Sequence, residues 1–201
     1  MIASLRRLAL AFAALAFLAP AARAQDLHDL TEGRADAPVT ILEYSSYTCP
    51  HCAHFHGDNR PWLVKTFVET GRAKLVLMDY PLDGLAMAAA MLVHSAPAET
   101  APTLSEALFS EQNSWATAQN PRQALATIAG LAGMSPSQVD AAFADKALFQ
   151  KLLDRRAEAY EKQGIDSTPT LTINGTKIAA NATHEELTRA IEAAEAAAKK
   201  K

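Results

Sequence analysis

The sequence predicts an α/β chain in the order β-α-β, a helical insertion, then β-β-α. Three observations carry this. Two short apolar runs, Val39-Thr40-Ile41-Leu42 and Lys74 to Tyr80, flank a long amphipathic stretch from Ala53 to Glu69. From Leu82 to about Gly164 the pattern is alanine-rich and helical, with no strand signal. An alternating run, Thr170-Leu171-Thr172-Ile173, then meets Asn174-Gly175, the strongest short hairpin turn, and Thr176-Lys177-Ile178 pairs back.

The N-terminus reads as an address. Arg6 and Arg7 precede an apolar core from Leu8 to Leu18, too short for a membrane span, and Ala22-Arg23-Ala24 is a small-x-small cleavage site. The expected mature chain starts at Gln25, in a compartment where disulfides persist. Four segments follow: 1–24 as a removed signal peptide, 25–81 as a first half, 82–164 as the helical insertion and 165–201 as a second half. Gln25 to Pro38 is polar, a loop or short edge segment. Val39 to Tyr44 is the first strand. Pro50 suits the first turn of the helix that follows; Cys52, Phe55, Leu63 and Phe67 give it a core face, Pro61 should kink or interrupt it, and Gly71 fits its C-terminal cap. Lys74 to Tyr80 reads as a strand buried on both faces, parallel to the first.

Within the insertion, Leu85 to His94 looks buried nearly all round, and Thr103 with Glu106 suggests a capping box. Pro121 and Ser135-Pro136 open further helices. Ala147 to Gln163 closes the group with Leu148, Leu152 and Tyr160 near one face, and Trp115 and Phe109 read as core. Thr183-His184-Glu185-Glu186 is a capping box, with Leu187 and Ile191 anchoring the last helix.

Charge excludes one class of partner. There are 19 Lys and Arg against 22 Asp and Glu, three of the arginines lie in the leader, and no basic stripe is present. The terminal Lys199-Lys200-Lys201 reads as cations closing the last helix, so no nucleic-acid partner is expected.

The only two cysteines lie in Cys49-Pro50-His51-Cys52, between the first strand and the first helix. A staple closing so small a loop would constrain the unfolded chain little, so the pair reads as chemical. Cys49, first in the helix and expected to be exposed, is the nucleophile; the helix dipole and open backbone N–H groups favour its thiolate. Cys52, more buried, resolves the mixed disulfide. His51 can place a donor or a positive charge beside the thiolate. Cys49, Cys52 and His56 recur at i, i+3 and i+7, with His51 and His54 close by, so a zinc or copper(I) site is a rival reading. A second Cys-x-x-Cys is lacking, and the reading is no metal.

Cys49-Pro50-His51-Cys52, the Thr168-Pro169 pair before the hairpin and the placed helical insertion resemble the periplasmic disulfide oxidoreductases of the DsbA family, over essentially all of Thr40 to Ile191. The resemblance implies a thioredoxin-like fold with an inserted helical subdomain. It implies that Glu43, six residues before Cys49, lies beneath the second cysteine and relays its proton. It implies a cis bond before Pro169, packed against the cysteine pair, and a Thr168 backbone offered to an extended substrate chain. Expected is a monomeric periplasmic enzyme with no cofactor beyond the redox-active Cys49–Cys52 pair. It would donate disulfides to exported proteins with free thiols and be re-oxidised by a DsbB-like membrane quinone reductase. Strong oxidases of the family often carry Val where Thr168 stands and isomerases often carry Thr, so an isomerase or reductase kept reduced by a partner is the alternative. Some branches carry a second cysteine pair in the insertion, which this sequence lacks.

Overall fold

The computed structural model describes residues 27–179 and 181–200; residues 1–24, read from the sequence as a signal peptide, lie outside them. Strands β1 (Leu30–Glu32), β2 (Val39–Ser45), β3 (Ala73–Asp79), β4 (Thr170–Ile173) and β5 (Thr176–Ile178) form one sheet in the order β1-β3-β2-β4-β5. β2 and β3 pair parallel, with Glu43 opposite Leu77, and the other pairings are antiparallel. The parallel pair demands a crossover, and the first helix supplies it. This is the thioredoxin-like architecture with a helical insertion that the residue pattern predicts.

Helix α1 runs from Pro50 to Val68 through alternating turns: Pro50–His54 and Arg60–Leu63 are α-helical, Phe55–Asn59 and Val64–Val68 are π-helical. Pro61 therefore does not break it. The wide turn before it moves the hydrogen-bond register to Arg60 N–H onto Phe55 O, and Pro61 falls at the start of a fresh α-turn. Gly71, at φ +74°, ends the helix as expected.

The inserted helices are α2 (Gly84–Ser95), α3 (Ala101–Ser110), α4 (Gln112–Ala116), α5 (Pro121–Leu131), α6 (Pro136–Ala144) and α7 (Lys146–Gln163); α8 (His184–Ala198) follows the hairpin. Ser135 and Thr183 both form capping boxes. Thr103 does not: it lies inside α3, because Pro102 occupies the first turn and starts the helix earlier, and Glu106 is left free to reach another element. Tyr160 is 60 % exposed, not core; α7 packs through Leu148, Leu152 and its neighbour Ala159.

One core lies between the sheet and helices α1 and α8, with Val39, Ile41, Leu63, Phe67, Leu75, Leu187 and Ile191 at its centre. A second fills the insertion around Leu92, Leu104, Leu108 and Trp115 and reaches Cys49 and Cys52. Strand β4 alternates in polarity but not in burial, since Thr170 and Thr172 are covered on the far face. In the hairpin, Asn174 (φ 46°) and Gly175 (φ 85°) both take the left-handed conformation that a two-residue turn requires.

Asp83 ties the insertion to the redox turn. Its Oδ1 accepts from Leu85 N and Ala86 N at 2.8 Å, capping α2, and its Oδ2 accepts from Thr48 Oγ1 at 2.7 Å. Asp83→Ala should cost about 1 kcal/mol, the usual loss of a helix cap, in urea unfolding. A change indistinguishable from zero would show that the cap is idle.

Candidate active site

The site is built where β2 ends and α1 begins. Cys49 is the N-cap of α1, in extended conformation (φ −82°, ψ 117°), with Pro50 in the first turn. Both cysteines are free thiols. Cys52 has no exposure, and Cys49 keeps only 6 %. Cys49 is thus more enclosed than its place at a helix tip suggests, because Thr168 crosses beside it: Cys49 Sγ lies 3.4 Å from the Thr168 carbonyl oxygen. The Thr168–Pro169 bond is cis, and Pro169 is buried.

The two thiols differ sharply in acidity. Cys49 is lowered to about 5, chiefly because the Cys52 thiol donates to its sulfur; burial opposes this, and the Thr168 side chain and the backbone N–H groups of Cys52 and His51 support it. Cys52 is pushed far up by the same hydrogen bond and by burial, against the Ser46 backbone and the Ser45 side chain. His51 is exposed and acts here through its backbone N–H. The pair holds one stabilised thiolate and one firmly protonated thiol.

This sets a pH dependence. Between about 5 and the ordinary 9.0, an unfolded chain keeps a proton on Cys49 that the folded chain has released. The Cys49 contribution to the stability of the reduced form therefore rises with pH through that window and is lost as pH falls to about 5, while above about 9.0 the raised Cys52 works in the opposite sense. Urea titrations of reduced protein should show this slope, and Cys49→Ser should flatten it. An unchanged slope in that variant would place the titration elsewhere.

Glu43 is fully buried. Alternation along β2 puts it on one face with Val39, Ile41 and Ser45, under α1. Its Oε1 accepts from Ser45 Oγ and lies 2.9 Å from His56 Nε2. Ser45, not Glu43, is the group that faces Cys52. Glu43 is therefore linked towards the second cysteine by way of Ser45, a residue with no local signal in the sequence.

His56 is buried, at 5 %, while His54 is exposed and pairs with Asp58. His56 lies one helical turn beyond Cys52 on the same inward face, and its ring stacks on Phe109 at 3.7 Å. Its Nε2 bonds Glu43, and among the described residues no three His, Cys, Asp or Glu groups are placed to hold a metal ion. The rival metal set Cys49, Cys52 and His56 is not assembled.

The insertion supplies two further groups. Gln112 Nε2 donates to Tyr47 O at 2.8 Å and Cys49 O at 2.9 Å, fixing the turn that carries Cys49. Glu106 Oε1 accepts from Arg60 Nη1 at 3.0 Å, and Arg60 also binds Glu32 on β1. Neither carries a local signal, because each meets its partner across dozens of residues of chain. Gln112→Ala should leave the fold intact and accelerate alkylation of Cys49 several-fold, since one hydrogen-bonded brace is worth about 1 kcal/mol. An unchanged alkylation rate would show that the turn holds itself.

A dithiol at a helix N-terminus, one sulfur acidic and the other buried, against a cis-proline on a mixed sheet, is an arrangement suited to thiol–disulfide exchange. The thioredoxin family model matches residues 25–193, and the chain belongs to that family. Disulfide bond formation protein D of Bacillus subtilis is 27 % identical over 168 residues, 80 % of this chain and 74 % of that protein. The thiol:disulfide interchange protein DsbA of Bordetella parapertussis is 26 % identical over 178 residues, 83 % of this chain and 81 % of that one. The crystal structure of Wolbachia pipientis alpha-DsbA1 superposes with a TM-score of 0.77 at 26 % identity, covering 86 % of this chain and 93 % of that chain. The resemblance to the DsbA family read from the sequence holds. The chain spans 58 % and 63 % of the lengths of two rickettsial relatives named for protein-disulfide oxidoreductase activity.

Proposed function

We propose that this chain is an exported, DsbA-like dithiol oxidase that donates the Cys49–Cys52 disulfide to exported proteins in the periplasm. The observation that carries this is the acidity of Cys49, lowered to about 5 beside a buried, protonated Cys52. A stabilised thiolate favours the reduced protein, so the disulfide form is a ready oxidant.

In the first step a substrate thiolate attacks Cys49 Sγ. The Cys49–Cys52 bond breaks, and Cys52 leaves and is protonated. A second substrate thiolate then attacks the substrate sulfur of the mixed disulfide, forming the substrate disulfide and expelling the Cys49 thiolate. Two electrons pass from substrate to enzyme. Pro50 and His51 hold the helix start that stabilises the thiolate, and Thr168 with cis-Pro169 offers backbone to an extended substrate segment. Re-oxidation by a membrane quinone reductase of the DsbB type would close the cycle, with a monomeric enzyme and no further cofactor. The leader-like residues 1–24 support export.

Equilibration against glutathione buffers tests the direction. A potential well above about −270 mV, towards about −120 mV, is expected. A value at or below about −270 mV would sink the oxidase reading and make the protein a reductase, with Thr168 the first residue to change.

A further inference from the structure

Cys52 must gain a proton when the disulfide opens and lose it when the disulfide forms, yet it has no solvent exposure, and neither has Glu43. A relay that ended at Glu43 would end in the protein interior. The structure continues it. Ser45 Oγ faces Cys52 and donates to Glu43 Oε1. The same Glu43 oxygen meets His56 Nε2 at 2.9 Å. The other ring nitrogen, Nδ1, lies in ion-pair contact with Glu106 Oε1, 3.4 Å away. Phe109 stacks on the ring and fixes its plane.

The charged groups around His56 come from three elements. Glu43 lies on β2, Glu106 on α3, and Arg60 lies along α1 itself, with its Nε 4.0 Å from Glu43 Oε2 and its Nη1 on Glu106. Glu32 on β1 holds the far side of Arg60. Burial works against a charge on His56, but Glu43 and Glu106 outweigh it and hold the ring above the usual histidine pKa. Glu106, opposed by its own burial, is held below the usual carboxylate value by His56 and Arg60. Its side chain is about half exposed and lines a cleft of about 840 Å³ between β1 and the insertion, shared with Arg60 and Glu32.

We propose that His56, oriented by Glu106, is the proton store of Cys52, exchanging one proton with it through Glu43 and Ser45 in each half of the redox cycle. When the disulfide opens, the Cys52 thiolate takes the Ser45 hydroxyl proton, Ser45 takes one from Glu43 Oε1, and Glu43 is supplied by His56 Nε2. Charged His56 becomes neutral and Cys52 becomes a thiol. When the disulfide forms, Cys52 returns the proton by the same route and attacks Cys49. Glu106, facing Nδ1–H, keeps Nε2 as the exchanging nitrogen. His56 is a positioning residue here, since it reaches the sulfur only through Glu43 and Ser45.

The inference rests on the thiol–disulfide reading but not on its direction. The test mixes reduced protein with glutathione disulfide. The Cys49 thiolate forms a mixed disulfide and releases one glutathione thiolate; Cys52 then deprotonates, closes the Cys49–Cys52 bond and expels the second. Acid quench and mass spectrometry follow the lifetime of the mixed disulfide against pH. Resolution needs neutral His56, so the wild-type rate should rise with pH through a single inflection. His56→Gln should remove that inflection and slow resolution about tenfold above it. Glu106→Gln removes the charge that raises the ring, so it should move the inflection to lower pH and needs no change in the interior. The Cys49 thiolate midpoint should stay near 5 in both. An inflection unmoved in Glu106→Gln overturns the proposal, as does a uniform slowing with the inflection intact in a folded His56→Gln. Failure of the oxidase reading shows instead in the wild-type potential.

Discussion

Replacing Cys52 with alanine will raise the pH at which Cys49 titrates and trap Cys49 in mixed disulfides. The largest cause of the acid Cys49 is the Cys52 thiol that donates to its sulfur. A hydrogen bond to a charged acceptor is worth about 1.5–3 kcal/mol, so its removal should shift the midpoint up by about one to two units. Thr168 and the backbone N–H groups of His51 and residue 52 remain, so the midpoint should stay below the ordinary 9.0. Ultraviolet absorbance of the thiolate gives the midpoint directly. The same variant lacks the second sulfur, and on the proposed cycle its mixed disulfides with added thiols should persist on non-reducing gels. A midpoint that stays near 5 would assign the acidity to the helix N-terminus alone.

The second large effect is expected far from the sulfur atoms. Trp115→Ala should destabilise the protein by about 3–5 kcal/mol, the usual cost of emptying a large aromatic site. Trp115 is 1 % exposed, and its Nε1 donates to Leu108 O at 2.7 Å. It shares the five-residue helix α4 with Gln112, which grips Tyr47 O and Cys49 O. So short a helix is held by packing and not by its own hydrogen bonds. Loss of the indole should free Gln112 and raise the alkylation rate of Cys49 as well as lower the urea midpoint. Trp115→Phe keeps most of the packing and should cost distinctly less. If Trp115→Ala unfolds at the wild-type urea concentration, the insertion core is not organised around this residue.

The features legible in the sequence are those whose cause is local. Pro50 in the first helical turn, Asn174-Gly175 in the hairpin and the Ser135 and Thr183 caps depend on neighbours a few residues away. The apolar runs that become β2 and β3 report burial in the same direct way. Thr103 and Glu106 show the limit of such signals. The capping pattern is present, but Pro102 starts the helix earlier and Glu106 finds Arg60 instead. His56 shows a further limit: its place on the face of Cys52 is legible in the spacing, but its partners Glu43, Glu106 and Phe109 come from other elements.

The sequence by itself determined the cysteine pair, its place at a strand-to-helix junction and the order of elements. Only the tertiary structure decided which groups surround the cysteines. Ser45 faces Cys52 because β2 is pleated, Gln112 reaches Cys49 from 63 residues away, and Glu43, His56 and Glu106 meet from a strand, a helix and the insertion. Buried polar groups must find partners wherever packing places them, and packing unites residues by shape and burial without regard to their separation along the chain.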